Sequence, residues 1–336
     1  MRAWEIVSDG GVDGLALNER RSPEPGPGEV CVRMRASSIN YRDLMTIEDP
    51  VSRKLPFPTV PNSDGAGDVT AIGPGVSGVA VGDRVASCFF ADWEAGPCSL
   101  GAMQSALGGA RQGVLAEEVV LSAGGIIPIP GDLSYEEAAT LPCAALTAWH
   151  ALTEPKPVIA GETVVLLGTG GVSVFAQQFC KAMGARTIVT SSSDAKLDRM
   201  RRLGASETIN YRTTPDWDQE VLRLTGGEGA DRVVEVGGPG TMQKSIEATR
   251  VGGTIGLIGI LTGVQGQIAP TAIMRKSLTV RGIYVGPRQM FRQMNQAIAV
   301  HGLRPVIDRT VDFEDAREAY HAMRAAGHFG KIVIRV

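Results

Sequence analysis

Two patterns of hydrophobic and polar positions divide this chain. Through residues 1–125 the apolar positions come in short alternating runs. Val30-Cys31-Val32-Arg33-Met34-Arg35-Ala36 has period two, as a half-buried strand does. Pro25-Gly26-Pro27-Gly28 and Gly73-Pro74-Gly75 punctuate turns, so this part predicts an irregular β-rich domain. Residues 95–112, rich in Gly, Ala and Ser, read as a mobile loop. From about residue 161 the pattern becomes strand, helix, strand, helix. Val164-Val165-Leu166-Leu167 is a continuous apolar run, the mark of a strand buried on both faces. Val172, Phe175, Ala176, Phe179, Cys180 and Met183 then recur at helical spacing until Gly184.

Further strands are predicted at Thr187–Thr190, Glu207–Asn210, Val233–Val236, Thr254–Gly259 and Leu278–Tyr284, with a helix from Asp194 to Leu203. Six strands with intervening helices predict an α/β class and a doubly wound parallel sheet. Helices at Pro287–Val300 and Glu314–Ala325 precede a final strand, Lys331–Val336, which is expected to return to the first domain.

The 336 residues suffice for two domains, and 43% hydrophobic with 21% charged residues is an ordinary globular balance. A net charge of −3 gives no electrostatic reason to expect nucleic acid or anionic lipid as a partner. No apolar run reaches the ~20 residues a membrane span needs, and Met1-Arg2-Ala3-Trp4-Glu5 lacks a signal-peptide pattern. The expected location is the cytoplasm. Five widely spaced cysteines argue against a disulfide framework. The four histidines, His150, His301, His321 and His328, leave residues 1–149 without any and show no catalytic pairing.

Chemistry enters at Gly168-Thr169-Gly170-Gly171-Val172-Ser173, between the first strand of the sheet and its first helix. A pyrophosphate there meets unpaired backbone N–H groups and the positive end of a helix dipole. Ser173 stands where the usual fingerprint has its third glycine. About 20 residues beyond such a loop, an NAD site carries an acid for the ribose 2′-OH. This chain has Thr190-Ser191-Ser192-Ser193 instead, and Asp194 is placed to cap the next helix. Small hydroxyls leave room for a 2′-phosphate, and Lys196 and Tyr211-Arg212 follow close by, so NADPH is the expected cofactor, with NADH possible. Val236-Gly237-Gly238 and Gly259-Ile260-Leu261 end the fourth and fifth strands, at the carboxyl edge where ligands bind such sheets.

These residues, with Ser37-Ser38-Ile39-Asn40-Tyr41-Arg42-Asp43, Asp64-Gly65-Ala66-Gly67, Val81-Gly82-Asp83-Arg84-Val85, Ala138-Ala139-Thr140-Leu141-Pro142-Cys143, Leu146-Thr147-Ala148-Trp149, Leu203-Gly204-Ala205, Ile209-Asn210-Tyr211-Arg212 and Gly330-Lys331-Ile332-Val333, resemble the medium-chain dehydrogenase/reductase superfamily nearly end to end. The closer similarity is to its zinc-free, quinone oxidoreductase-like branch. The resemblance implies a discontinuous GroES-like substrate domain, residues 1–125 and 275–336, packed on a Rossmann domain, residues 126–274, with the active site between them. It also implies a homodimer or homotetramer, and it adds Thr147 and Lys331 to the cofactor contacts. Zinc-dependent members bind catalytic zinc through Cys, His and Cys. The matching positions here read Asn40, Ser63 and Cys143, too few ligands for Zn²⁺, and the region of Cys88 and Cys98 lacks the four cysteines of the structural-zinc lobe. No metal is expected.

Without a Lewis acid, hydride transfer to an isolated carbonyl is hard. Addition to a conjugated enone, enal or quinone needs less, because the charge moves onto an oxygen that one or two donors can stabilise. The expected function is therefore NADPH-dependent reduction of a small conjugated carbonyl or quinone. Candidate catalytic residues are Asn40, as an amide donor or a loop-orienting group, Tyr41, as a proton donor or a packing ring, and Asp43, which more simply fixes backbone or Arg42. Open alternatives are an enoyl-thioester reductase, for which Arg288 and Arg292 would form a basic patch, an alcohol or ketone dehydrogenase, and a crystallin-like protein that binds NADPH without turnover.

Overall fold

The computed structural model describes all 336 residues. In chain order its strands are β1 (Arg2–Ile6), β2 (Leu15–Glu19), β3 (Glu29–Ser38), β4 (Asp64–Ile72), β5 (Arg84–Ser87), β6 (Glu118–Ser122), β7 (Ile126–Pro128), β8 (Thr163–Leu167), β9 (Arg186–Ser191), β10 (Glu207–Asn210), β11 (Ala230–Glu235), β12 (Thr249–Leu257), β13 (Thr279–Gly282), β14 (Ile307–Asp312) and β15 (Lys331–Arg335). They fall into two units, Met1–Leu146 with Val285–Val336, and Thr147–Tyr284.

In the discontinuous unit the alternating stretch around Val30 becomes β3, whose Val30, Val32 and Met34 are buried while Arg33 and Arg35 face solvent. Seven strands form its sheet, in the order β14-β15-β3-β4-β5-β7, with β6 paired to β3. The last strand, β15, lies antiparallel to β3 through Val333↔Ser38 and Ile334↔Ser37, and so returns to the first domain as expected. Trp4, Ile6, Leu15, Ile47, Leu115 and Tyr320 belong to the core beneath this sheet. Part of residues 95–112, expected to be a mobile loop, is packed, whereas 95–101 and 110–112 lie exposed. Ser105 and Leu107 are buried, Phe90 bridges Ala106, and Arg111 pairs with Asp92.

The other unit holds the six-stranded parallel sheet, order β10-β9-β8-β11-β12-β13. All five residues of β8 are buried, because helices cover both faces of a doubly wound sheet. The helix Gly171–Ala182 follows directly. The boundaries expected at 125 and 275 move to 146 and 284 for a simple reason. β7 pairs with β5, and the helix Tyr135–Ala139 packs on β3 and β4, so 126–146 stay with the first unit. β13 pairs with β12, so 275–284 stay with the second.

One buried charge stands out in β11. Arg232 is 1% exposed, and its guanidinium donates to the carbonyls of Ala151, Glu154 and Lys156. That fan of bonds ties the segment after the helix Leu146–Thr153 to the middle of the sheet.

Candidate active site

The unit Thr147–Tyr284 carries the nucleotide-binding geometry. β8 ends at Leu167, and Gly168 turns the chain at φ 75°, a conformation that favours glycine. Gly170 caps the helix Gly171–Ala182 with no side-chain hydrogen bond, and a Cβ there would meet open space. Backbone N–H groups at a helix N-terminus with no side chain in the way suit a pyrophosphate. Ser173 answers the question of the missing third glycine. Its hydroxyl donates to Leu167 O at 2.6 Å, fastening the helix to the strand it leaves. Thr169 is buried, and Gly171 and Val172 are partly exposed in the helix's first turn.

The three serines divide their work. Ser191 Oγ accepts the Ser193 N–H at 3.3 Å. Ser193, not Asp194, caps the helix Asp194–Arg202, accepting the Lys196 N–H at 3.4 Å. Ser192 lies between them and is partly exposed. The nearest acid, Asp194, accepts the Asn210 side-chain N–H at 2.8 Å. Tyr211 is brought alongside by its N–H donating to Ser191 O at 3.1 Å, with its ring 42% exposed.

At the carboxyl edge, Glu235 organises the turn leading to the helix Pro239–Ala248. It is fully buried and accepts from the N–H groups of Gly237 (2.7 Å) and Gly238 (2.9 Å), from Thr241 Oγ1 (2.7 Å) and from Ser245. Gly259 crosses Val236 so closely that a Cβ would lie 1.5 Å from the Val236 carbonyl oxygen. A cavity of about 420 Å³ opens here, lined by Gly238, Met242, Gly259 and Ile260 among others. Ile260 and Leu261 are exposed, whereas Thr147 is buried. Sequence reasoning missed Glu235, and its only signal was an acid directly after the apolar pair Val233-Val234. Glu235→Gln loses charge-assisted acceptance from four donors, and should destabilise the chain by about 2 kcal/mol. Urea unfolding of the full chain checks this.

The discontinuous unit gathers a second polar cluster. Asn40 leads into the helix Tyr41–Glu48, and its N–H donates to Asp43 Oδ2 at 2.9 Å. The Asn40 Oδ1 accepts from Lys331 Nζ at 2.5 Å, and the same ammonium donates to Ile39 O at 2.7 Å. Asp64, fully buried, accepts Ser63 Oγ at 2.6 Å and the Cys143 N–H at 3.0 Å. Asn62, with φ 69°, is held by the Tyr320 hydroxyl on its Oδ1 and donates to Ser37 Oγ, which fixes the turn carrying Ser63 and Asp64. Burial pushes the Asp64 carboxyl up to about 6 against the opposing pull of Lys331. Asp43 is also raised by burial, with Arg42 opposing. Cys143 stays a thiol, because burial and the neighbouring Asp64 charge both raise it.

Arg42 pairs with Asp43 through its Nε at 3.5 Å and extends from there to the neighbouring loop. Its guanidinium donates to Leu107 O and Gly108 O and lies over the Phe89 ring at 4.5 Å. Tyr41, first residue of the helix, is 39% exposed. Lys331, expected among the cofactor contacts, belongs to this cluster, 3% exposed and bonded to Ile39 and Asn40. Arg288 and Arg292, expected as a basic patch for a thioester carrier, both pair with Glu94.

These features agree with comparison to known proteins. Residues 26–131 match the alcohol dehydrogenase GroES-like domain model, and residues 171–300 the zinc-binding dehydrogenase model. A zinc-type alcohol dehydrogenase-like protein of Schizosaccharomyces pombe is 41% identical over 97% of this chain and 96% of its own length. The chain belongs to the medium-chain dehydrogenase/reductase superfamily. Like other alcohol dehydrogenase-type members it is an oxidoreductase. A solved NAD-dependent alcohol dehydrogenase superposes at TM-score 0.91, with 36% identity and full coverage of both chains. A mycobacterial protein solved with NADPH gives TM-score 0.84 at 25% identity, again covering both chains fully.

The superfamily's zinc enzymes make the metal a question to settle on the donor set. Here the matching positions offer an amide, a hydroxyl and a single thiol. The adjacent Asp64 already accepts from Ser63 and the Cys143 N–H, and an ammonium lies within hydrogen-bonding distance of Asn40. A dication wants thiolate, imidazole or carboxylate ligands and is repelled by a buried cation. No three His, Cys, Asp or Glu side chains gather as a metal site. The residues do not fit zinc.

Proposed function

We propose that this oxidoreductase transfers hydride from NADPH to a small conjugated carbonyl compound or quinone, without zinc. One observation carries the reading. Where a zinc enzyme needs its ligands, this chain has Asn40, Ser63 and Cys143, with Lys331 hydrogen-bonded to the first of them. Bound NADPH would supply the hydride. What the chain must add is a donor for the oxygen that becomes negative when hydride reaches the β-carbon, and the Asn40 amide is that donor. Tyr41, exposed at the start of its helix, can deliver the proton that completes the saturated carbonyl or hydroquinone, as can water.

NADPH is favoured because the hydroxyl run Ser191–Ser193 replaces the ribose-binding acid, and the one nearby carboxylate, Asp194, is taken by Asn210. The neighbour solved with NADPH supports this, while the NAD-dependent alcohol dehydrogenase supports the rival reading of alcohol and NADH chemistry. The basic patch of the thioester alternative is partly neutralised, because Arg288 and Arg292 share Glu94.

The test is nucleotide oxidation by metal-analysed, chelator-treated protein with quinones, enones, enals, simple ketones and alcohols. Turnover of conjugated acceptors by NADPH at negligible zinc content is expected. Turnover confined to ketones or alcohols, or dependent on stoichiometric zinc, overturns the proposal. Tight NADPH binding with no turnover points to a non-enzymatic binding role.

A further inference from the structure

The turn after β11 is fixed by a buried carboxylate, and the sheet order says what that turn faces. From β8 the chain runs outward through β9 and β10, then crosses back to β11, β12 and β13. A dinucleotide lies outside the carboxyl ends of the strands, across the point where the order reverses, here between β8 and β11. The glycine loop after β8 and the serines after β9 belong to the phosphate and adenosine side. On that reading the nicotinamide half falls to the ends of β11 and β12, at residues 236–238 and 259–262.

These two stretches leave no room for added side chains at their glycines. A Cβ on Gly237 would lie 2.2 Å from Thr241 Oγ1, and one on Gly238 2.7 Å from Gly259 O. Glycine backbone can take many shapes, so something else must select this one. Glu235 does so from inside the unit. Its fully buried carboxylate accepts from Gly237 N–H, Gly238 N–H and Thr241 Oγ1 on one oxygen, and from Ser245 on the other. All four donors are neutral, and a charge buried in that way costs free energy that an apolar side chain would not.

The second stretch is tied to the first. Glu235 O accepts the N–H groups of Ile258 at 2.9 Å and Gly259 at 3.0 Å. Thr262 donates its N–H and its hydroxyl to Gly237 O at 2.8 and 2.9 Å, and its Oγ1 accepts the Gly240 N–H at 2.8 Å. Because Glu235 takes the N–H groups of Gly237 and Gly238, this turn is no second phosphate cradle. What it offers a ligand is a fixed shape.

We propose that Glu235 is a positioning residue for the nicotinamide half of the cofactor, holding 236–238 through its carboxylate and 259–262 through the clasp between Gly237 and Thr262. This rests on the reading of the chain as an NADPH enzyme, and not on which acceptor it reduces.

The experiment is calorimetric titration of full-length wild type, Glu235→Gln and Thr262→Val with two probes. NADPH carries both halves of the cofactor, whereas adenosine 2′,5′-bisphosphate carries only the adenosine half. Thr262 is exposed, so Thr262→Val keeps the test clear of any folding defect in Glu235→Gln. NADPH affinity should fall about tenfold in Glu235→Gln and about threefold in Thr262→Val, the scale of one or two weakened hydrogen bonds. The bisphosphate should bind within about twofold of wild type in both, a selectivity that general destabilisation does not produce.

Equal loss of both probes overturns the inference, as does unchanged NADPH affinity in either variant. If wild type binds NADH and ADP-ribose but neither phosphorylated probe, the NADPH reading fails. The pair NADH and ADP-ribose then decides the positioning role by the same ratio.

Discussion

Arg232→Met is expected to lower the melting temperature of the full chain by about 10 °C, the largest stability loss from any single side chain considered. Arg232 is 1% exposed in the middle of the parallel sheet, and three backbone carbonyls, those of Ala151, Glu154 and Lys156, depend on it. Methionine fills the space but donates nothing. Each orphaned buried acceptor costs ~1–3 kcal/mol, partly offset because a desolvated guanidinium is removed, leaving roughly 3–4 kcal/mol. For a domain of this size that is about 10 °C. Lysine keeps the charge but cannot span three acceptors, so Arg232→Lys should fall between. Differential scanning calorimetry checks both, and a melting temperature within 2 °C of wild type for Arg232→Met would show that those carbonyls find other partners.

The second large effect concerns cofactor choice. Ser192→Asp should weaken NADPH binding by about 100-fold, because a carboxylate facing a 2′-phosphate costs several kcal/mol. NADH should bind equally well or better, since a carboxylate there can accept from a ribose 2′-OH. Ser192 is the position to change because its neighbours serve the backbone. Ser191 accepts the Ser193 N–H, and Ser193 caps the next helix. Calorimetric titration with both nucleotides decides the matter. An unchanged preference would place the 2′ end of the ribose elsewhere.

Much of this was legible in the residues. The six parallel strands and the helix after the glycine loop announce themselves because buried parallel strands are continuous apolar runs and helices repeat at 3.6 residues. The cluster around Asn40 was legible only in part. Asn40 and Asp43 stood out as replacements in a familiar segment, but the helix Tyr41–Glu48 was not anticipated. It is short, and of its eight residues only Leu44 and Ile47 are buried large hydrophobes. The bond from Lys331 to Asn40 was not legible, because nothing local to a Gly-Lys-Ile-Val strand says which residue, 291 positions away, its ammonium will meet. The same holds for Arg232, hidden beside an apolar run, and for residues 95–112. Their small side chains suggested looseness, while Arg42 bonding to the carbonyls of Leu107 and Gly108 holds the later part of the stretch.

The interrupted unit also sets an order of events during synthesis. Thr147–Tyr284 is continuous, so all its strands are synthesised before β14 and β15. The other sheet must wait, because β15 belongs between β14 and β3. Until it arrives, the β3 edge that will receive Val333 and Ile334 is open, and Asp43 and Asp64 lack the ammonium destined for them. Closing so long a loop adds only a slowly growing entropic cost, so the delay is one of timing rather than of stability. The nascent chain therefore passes through a state in which its nucleotide-binding half is complete and its substrate half still has an exposed strand edge.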